Sequence, residues 1–250
     1  KFLIGESYGT TRAAGLAGHL QKELGMNLNG IMLISSILNF QTARFNPGND
    51  LPYILFLPTY TATAWYHKRL SEDLQANFQE ILSEVSEFAA TEYTLALMKG
   101  DLLSIEERFQ IIQKLARYTG LSENYIDGAK LRINIHKFVK ELLRDQHRTV
   151  GRLDSRYIGI DRDDTGAEID YDPSYTAIQG AYTATLNDYV QRDLNFKSDL
   201  PYQISAPIYK DWKFEDYHNQ YLNVAETLRE AISMNPFLLF FPLWGYHFYL

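Results

Sequence analysis

Five residues near the start constrain this chain more than any others. Gly5-Glu6-Ser7-Tyr8-Gly9 places a serine between two glycines, with apolar Phe2-Leu3-Ile4 before it and a stretch rich in Ala and Leu behind it. The pattern G-x-S-x-G is short and arises often by chance, so its context carries the argument. Phe2 to Ile4 read as the end of a buried strand, and Thr11 to Leu24 as a helix closed by Gly25. Gly30 to Leu38 (GIMLISSIL) form a β-branched run of the kind that a parallel sheet buries on both faces. Strand, helix and strand make a βαβ unit with an expected right-handed crossover. Ser7 then sits where the strand turns sharply into the helix. Both glycines are expected to be needed because backbone segments approach too closely there for a Cβ. The hydroxyl would project above the sheet, beside helix-terminal N–H groups that favour developing negative charge. Among these the backbone N–H of Tyr8 would serve as an oxyanion donor. The plainer alternative is a tight βα turn with an incidental serine.

Beyond residue 43 the character changes. Arg44 to Thr61 (RFNPGNDLPYILFLPTYT) reads as a proline-punctuated linker, after which helices dominate. Ser71 is expected to cap a helix running to about Met98, with Leu74, Phe78, Ile81, Val85 and Phe88 on one face. Ser104 and Glu107 have capping-box spacing, and that helix should stop at Gly120. A further helix covers roughly Asn134 to Asp145, followed by a loop-rich stretch from Arg148 to Asp172. Asp172-Pro173 opens a helix to about Tyr189. Tyr217 to Ser233 form an amphipathic helix, and the apolar run after Asn235-Pro236 is the next sheet strand. The expected organisation is therefore a core at 1–43, a mostly helical insertion at 44–215 and a return to the core at 216–250.

Composition excludes several functions. A formal charge of −7 argues against nucleic acid, which would need a basic face to neutralise phosphates. It has no cysteine, hence no disulfide, thiolate metal site or Cys nucleophile. No stretch of about 18 apolar residues predicts a membrane span, because Pro242 and Gly245 interrupt the richest run, Pro236 to Leu250. Nor does the opening have the form of a signal peptide. It begins inside an apolar strand, and Phe248-Tyr249-Leu250 ends as abruptly, so both ends read as cut from something longer.

Four segments, in order, resemble a bacterial branch of the serine carboxypeptidase family: GESYGTTRAAGL, LPYILFLPTYTATAWYHKRL, VGRLDSRYIGID and AETLREAISMNPF. The resemblance runs from about Phe2 to Phe237. Better-known secreted members have Gly where Thr10 stands. It implies an α/β-hydrolase fold, here a fragment holding part of the parallel sheet and a large helical cap insertion. The implied activity is removal of single residues from peptide C-termini, with no metal or organic cofactor. Ser7 matches the nucleophile, and Glu6 the acidic residue that helps receive the substrate's terminal carboxylate. Two carboxylates can share a short hydrogen bond when one is protonated, so such a site binds best at acid pH. Read without the family, Glu6 is a polar residue in the turn. The family also allows periplasmic or secreted placement.

The catalytic set is incomplete in this reading. The family's acid falls where this chain has Gly245-Tyr246-His247-Phe248, its histidine lies past Leu250, and its second oxyanion segment lies before Lys1. The chain's own histidines, His19, His67, His136, His147, His218 and His247, read as surface or partly buried residues. Losing triad members typically costs about 10⁴ to 10⁶ in turnover, so this polypeptide is expected to be an inactive piece. A related esterase or acyltransferase and a non-catalytic remnant are the rivals.

Three further segments carry chemistry-bearing side chains. Asp161 to Asp172 has the outline of a calcium loop, but it lacks the final Glu and has Ile169 at the ninth position. A solvated acidic loop accounts for it better. Trp65-Tyr66 and the aromatic stretch from Tyr53 to Tyr60 either line a substrate cleft under the cap or, as is expected for most of them, pack on the sheet. Arg152, Asp154, Ser155 and Arg156 form either an ion-pair network or a peptide-contacting rim.

Overall fold

The structure is a computed structural model that describes residues 1–200, 202, 203, 206, 208–211, 220–243 and 245. In chain order, β1 (Phe2–Glu6) leads into α1 (Tyr8–Lys22) and β2 (Gly30–Ile34). Then come α2 (Leu51–Tyr66), α3 (Glu72–Gln75), α4 (Phe78–Phe88), α5 (Thr94–Lys99), α6 (Ile105–Thr119), α7 (Glu123–Gly128) and α8 (Ile135–Glu141). A two-stranded hairpin, β3 (Thr149–Val150) with β4 (Ile158–Gly159), precedes α9 (Pro173–Arg192), α10 (Ala225–Met234) and β5 (Leu239–Leu243). The class is α/β, with a small parallel sheet.

That sheet has the order β1-β2-β5, both pairings parallel. Glu6 stands opposite Ile34, and Ile34 opposite Leu243. One face is covered by α1 and α10. Ala13, Ala14 and Ala17 pack there with Ile31, Leu33, Leu228 and Ala231. Small residues let the two helices meet closely: a Cβ on Gly18 would lie 2.3 Å from Thr227 Cγ2. A buried polar network joins the same elements. Gln21 donates to Ala231 O at 2.8 Å, while the Asn235 amide donates to Leu28 O at 2.9 Å and Gln21 Oε1 at 3.2 Å. The opposite face holds Phe2, Ile4, Leu239, Phe241 and Leu243, all exposed.

The helices between β2 and β5 have their own core, centred on Tyr60, Val85, Leu115, Ile126 and Phe138. Here the proline-rich linker expected from Arg44 to Thr61 gives way to a finding: Leu51–Tyr66 is helical throughout. Pro52 falls in the first turn, where no intrahelical amide is missed. Pro58 lies inside the helix and removes one backbone bond. Burial outweighs that loss. Tyr60 stacks on Phe138 at 4.2 Å and donates to Ile133 O at 3.1 Å. Asp50, at the N-cap, leaves the helix uncapped and instead holds Arg132 at 2.6 and 2.7 Å.

The helix expected from Ser71 to Met98 is also divided. Ser71 opens only the four residues of α3, and Asn77 starts α4 with its side chain accepting from Glu80 N. A π-helical turn, Ala89–Tyr93, carries α4 into α5. The capping box at Ser104 and Glu107 has both of its bonds, at 3.1 and 2.9 Å. Gly120 closes α6 in the left-handed region at φ 69°. Asp172 caps α9 by accepting from Ser174 N at 3.0 Å. The last helix begins at Ala225 rather than Tyr217; residues 217–219 lie outside those described.

Candidate functional site

Ser7 links β1 to α1 with φ 52° and ψ −122°. A side chain at positive φ costs energy, of order 1–3 kcal/mol, unless its surroundings hold it there. Three bonds do so. Ser7 N–H donates to Ile34 O on β2 at 3.0 Å, and Ser7 O accepts from Thr10 N at 2.9 Å and from Thr10 Oγ1 at 2.6 Å. The serine is half-buried, and its hydroxyl makes no side-chain bond to the helix it caps.

The two glycines turn out to have different roles. A Cβ on Gly5 would stand 2.2 Å from Gly9 O, 2.4 Å from Gly9 C and 2.7 Å from Thr10 N. These are backbone atoms, so any larger residue at 5 must open the turn. A Cβ on Gly9 would meet nothing within 4 Å. The expectation that both glycines are sterically required therefore holds for Gly5 and not for Gly9. It is the approach of the Gly9 backbone, not its missing side chain, that tightens the bend.

Several residues of the site carried no signal of their own in the sequence. Thr10 Oγ1, fully buried, accepts from Ile37 N at 2.9 Å while donating to Ser7 O, and Thr11 Oγ1 donates to Ile37 O at 2.6 Å. The two threonines thus clamp the segment leaving β2 onto the Ser7 turn. Ser35, in that segment, is itself left-handed at φ 49°, and its N–H donates to Leu243 O at 2.9 Å. The carboxyl ends of β1 and β2 each finish in a strained serine, on the side of a parallel sheet where ligands commonly bind. Beyond Ser35 lies a cavity of about 180 Å³, walled by Ser36, Ile37, Thr42, Ala43, Leu55, Phe56 and Thr59. It is bounded by the β2 exit and α2.

Glu6 and Tyr8 flank the serine. Glu6 is largely exposed, yet partial desolvation raises its carboxyl pKa above the ordinary value. Tyr8 occupies the first helical position, where a backbone amide has no intrahelical acceptor. Its ring meets Phe40 edge-on at 5.9 Å. Phe40 N in turn donates to Leu222 O at 2.9 Å, which ties this side of the site to the segment before α10.

Among the described residues no imidazole hydrogen-bonds to Ser7. His19 and His136 are exposed, and His147 is exposed and paired with Asp164 at 2.5 Å. His67 is bound through Nε2 to Ser155 O at 2.6 Å, and its pKa is lowered mainly by burial. His218 and His247, like Tyr246 and Phe248, lie outside the described residues.

The acidic loop is occupied by its own partners. Asp161 forms a buried ion pair with Lys140 at 2.5 Å, Asp170 holds Arg162 at 3.0 Å, and Asp163 accepts from Thr165 N and Thr165 Oγ1. Among the described residues no cluster of three or more His, Asp or Glu side chains is arranged to hold a metal ion. The VGRLDSRY loop is likewise internally engaged. Asp154 clasps Arg156 at 2.6 Å, Leu153 N and Asp154 N donate to Ser174 Oγ, and Ser155 Oγ accepts from Thr63 Oγ1 at 2.8 Å. Asp154–Arg156 is the one ion pair within this loop among the described residues. The aromatics expected to pack on the sheet do not: Tyr53, Phe56 and Trp65, with Phe45, pack against the core of the helices between β2 and β5, and Phe56 also faces the cavity.

Among the described residues, no helix is long and apolar enough to cross a membrane. Compared with protein-family models, curated proteins and solved structures, the chain matches none of them.

Proposed function

We propose that Ser7 is the nucleophile of an α/β-hydrolase-type site, of which this chain holds the elbow, its two supporting strands and a helical cap. The observation that carries the reading is the backbone of Ser7, at φ 52° and ψ −122° between a parallel strand and a helix. Strain of this kind is what a strand-to-helix elbow uses to present a hydroxyl at the sheet's carboxyl edge. The amides of the first turn of α1 stand beside it, suited to an oxyanion. With the sequence resemblance, the preferred chemistry is serine carboxypeptidase: Ser7 attacks the last peptide bond, Tyr8 N–H helps hold the oxyanion, and Glu6 helps bind the terminal carboxylate. The raised pKa of Glu6 supports that last role, because a proton on Glu6 is what a bound carboxylate needs.

One observation favours a second reading. Ser7 has no imidazole partner among the described residues, and a serine hydroxyl without a base is a poor nucleophile. On that view the chain is a non-catalytic piece of such an enzyme. A fluorophosphonate probe on the chain, with Ser7→Ala as control, separates the two: labelling confined to Ser7 supports an assembled site, and no labelling supports the remnant. If labelling occurs, blocked dipeptides compared with esters and acyl donors distinguish the peptidase from an esterase or acyltransferase.

A further inference from the structure

Backbone strain sets a second serine apart. Of the non-glycine residues at positive φ among those described, Lys68, Lys130, Leu131, His147 and Asn195 all follow helical segments, where chains commonly turn that way. Ser7 and Ser35 follow strands instead, and the strands are neighbours. Glu6 stands opposite Ile34, so Ser7 and Ser35 are the next pair across. Ser7 N–H donates to Ile34 O at 3.0 Å, as the parallel ladder requires. Adjacent strands run about 4.8 Å apart, so a group bonded to one serine comes within reach of the other.

The Ser35 side chain has no use within the fold. The residue is only 8% exposed, yet its hydroxyl has no hydrogen-bond partner among the described residues. The sealed side-chain oxygens that lack a partner are Gln75 Oε1 and Thr149 Oγ1. Ser35 Oγ is not one of them, so it opens to solvent. Glycine would take φ 49° without strain. A strained serine with an unused hydroxyl, next to a second strained serine, is the kind of departure that ligand sites hold.

The position is also fixed. Ser35 N–H donates to Leu243 O at 2.9 Å, and two residues on Ile37 is held at N by Thr10 Oγ1 at 2.9 Å and at O by Thr11 Oγ1 at 2.6 Å. A hydroxyl placed in advance can bind a ligand with little further ordering.

We propose that Ser35 is a second substrate-contacting residue of the Ser7 site, whose hydroxyl donates a hydrogen bond to the acyl group under attack, alongside the Tyr8 amide. This rests on Ser7 being the nucleophile. An uncharged donor suits an acyl or phosphoryl oxygen, neutral in the substrate and more negative once Ser7 has added to it.

The test is the rate at which a fluorophosphonate labels Ser7 in the full chain, measured alongside the melting temperature. In that reaction Ser7 Oγ bonds to phosphorus, fluoride leaves and the serine proton passes to solvent. Ser35→Ala removes the hydroxyl and keeps the side-chain carbon, whereas Ser35→Gly removes the hydroxyl and relieves the strain. Both should label about tenfold more slowly or worse, the usual effect of losing one hydrogen bond to a charged group. Ser35→Gly should do so with an unchanged or higher melting temperature, and it carries the test if Ser35→Ala does not fold. A rate kept by either folded variant overturns the proposal and leaves Ser7 as the nucleophile. An unaltered chain that labels no better than Ser7→Ala overturns both.

Discussion

At the scale of single residues, the bend at Ser7 makes contrasting demands on its two glycines. Gly5→Ala forces a methyl group into the Gly9 carbonyl and should destabilise the protein by about 1–3 kcal/mol, the usual cost of overpacking. Gly9→Ala fills open space on a helix and should be neutral or stabilising, by up to about 1 kcal/mol. Urea denaturation of the two variants checks this, and equal losses in both would contradict the geometry. Thr10→Val keeps the shape of a fully buried residue but strands Ile37 N–H, for an expected loss of about 1–3 kcal/mol. Glu6 adds a pH signature. Its raised folded pKa means that the native state resists ionisation, so its contribution is intact at acid pH and declines as pH rises through that pKa. Glu6→Gln should raise the melting temperature slightly near pH 8 and leave it unchanged near pH 4. His67 behaves in the opposite sense. Its pKa is lowered, so the unfolded chain takes up the proton first and stability falls as pH drops below the ordinary value of 6.5. In His67→Gln, melting curves between about pH 5 and 7 should lose most of that slope.

Elements show what a sequence discloses about itself. The caps at Ser104 and Asp172 and the stop at Gly120 were legible, since each depends on residues within a few positions of one another. So was the strand-turn-helix around Ser7. The helix at Leu51–Tyr66 was hidden, because its two prolines signal a linker locally while its stability comes from distant partners such as Ile133 and Phe138. The clamp of Thr10 and Thr11 on Ile37 was hidden for the same reason: nothing at those positions tells a buried threonine from a surface one. Among the helices between β2 and β5, Leu115 is fully buried on α6 within their shared cluster. Leu115→Ala should cost about 2–5 kcal/mol, read from the denaturation midpoint. A loss under about 1 kcal/mol would mean that α6 is not a core element.

For the molecule as a whole, two apolar clusters divide the stability unequally. The larger cluster draws on α2, α4, α5, α6, α7 and α8, whereas the sheet cluster rests on α1, α10, two strands and the Leu28 turn, and Phe2, Ile4, Leu239, Phe241 and Leu243 on the other sheet face are exposed. Local opening follows such differences, so amides of β1, β2 and β5 should exchange with deuterium before those of α2, α4 and α6. Slower exchange in the sheet would sink that ranking. The pairing of β2 with β5 also fixes an order of events. Gly30 must find Leu239 about two hundred residues further on, after the intervening helices have been made. At a synthesis rate of about 5–20 residues per second, the first strands wait at least about ten seconds for their neighbour to leave the ribosome. Over that interval β1, β2 and the Ser7 turn lack their pairing with β5, so the native form of this earlier segment is reached only after the intervening helices have been made.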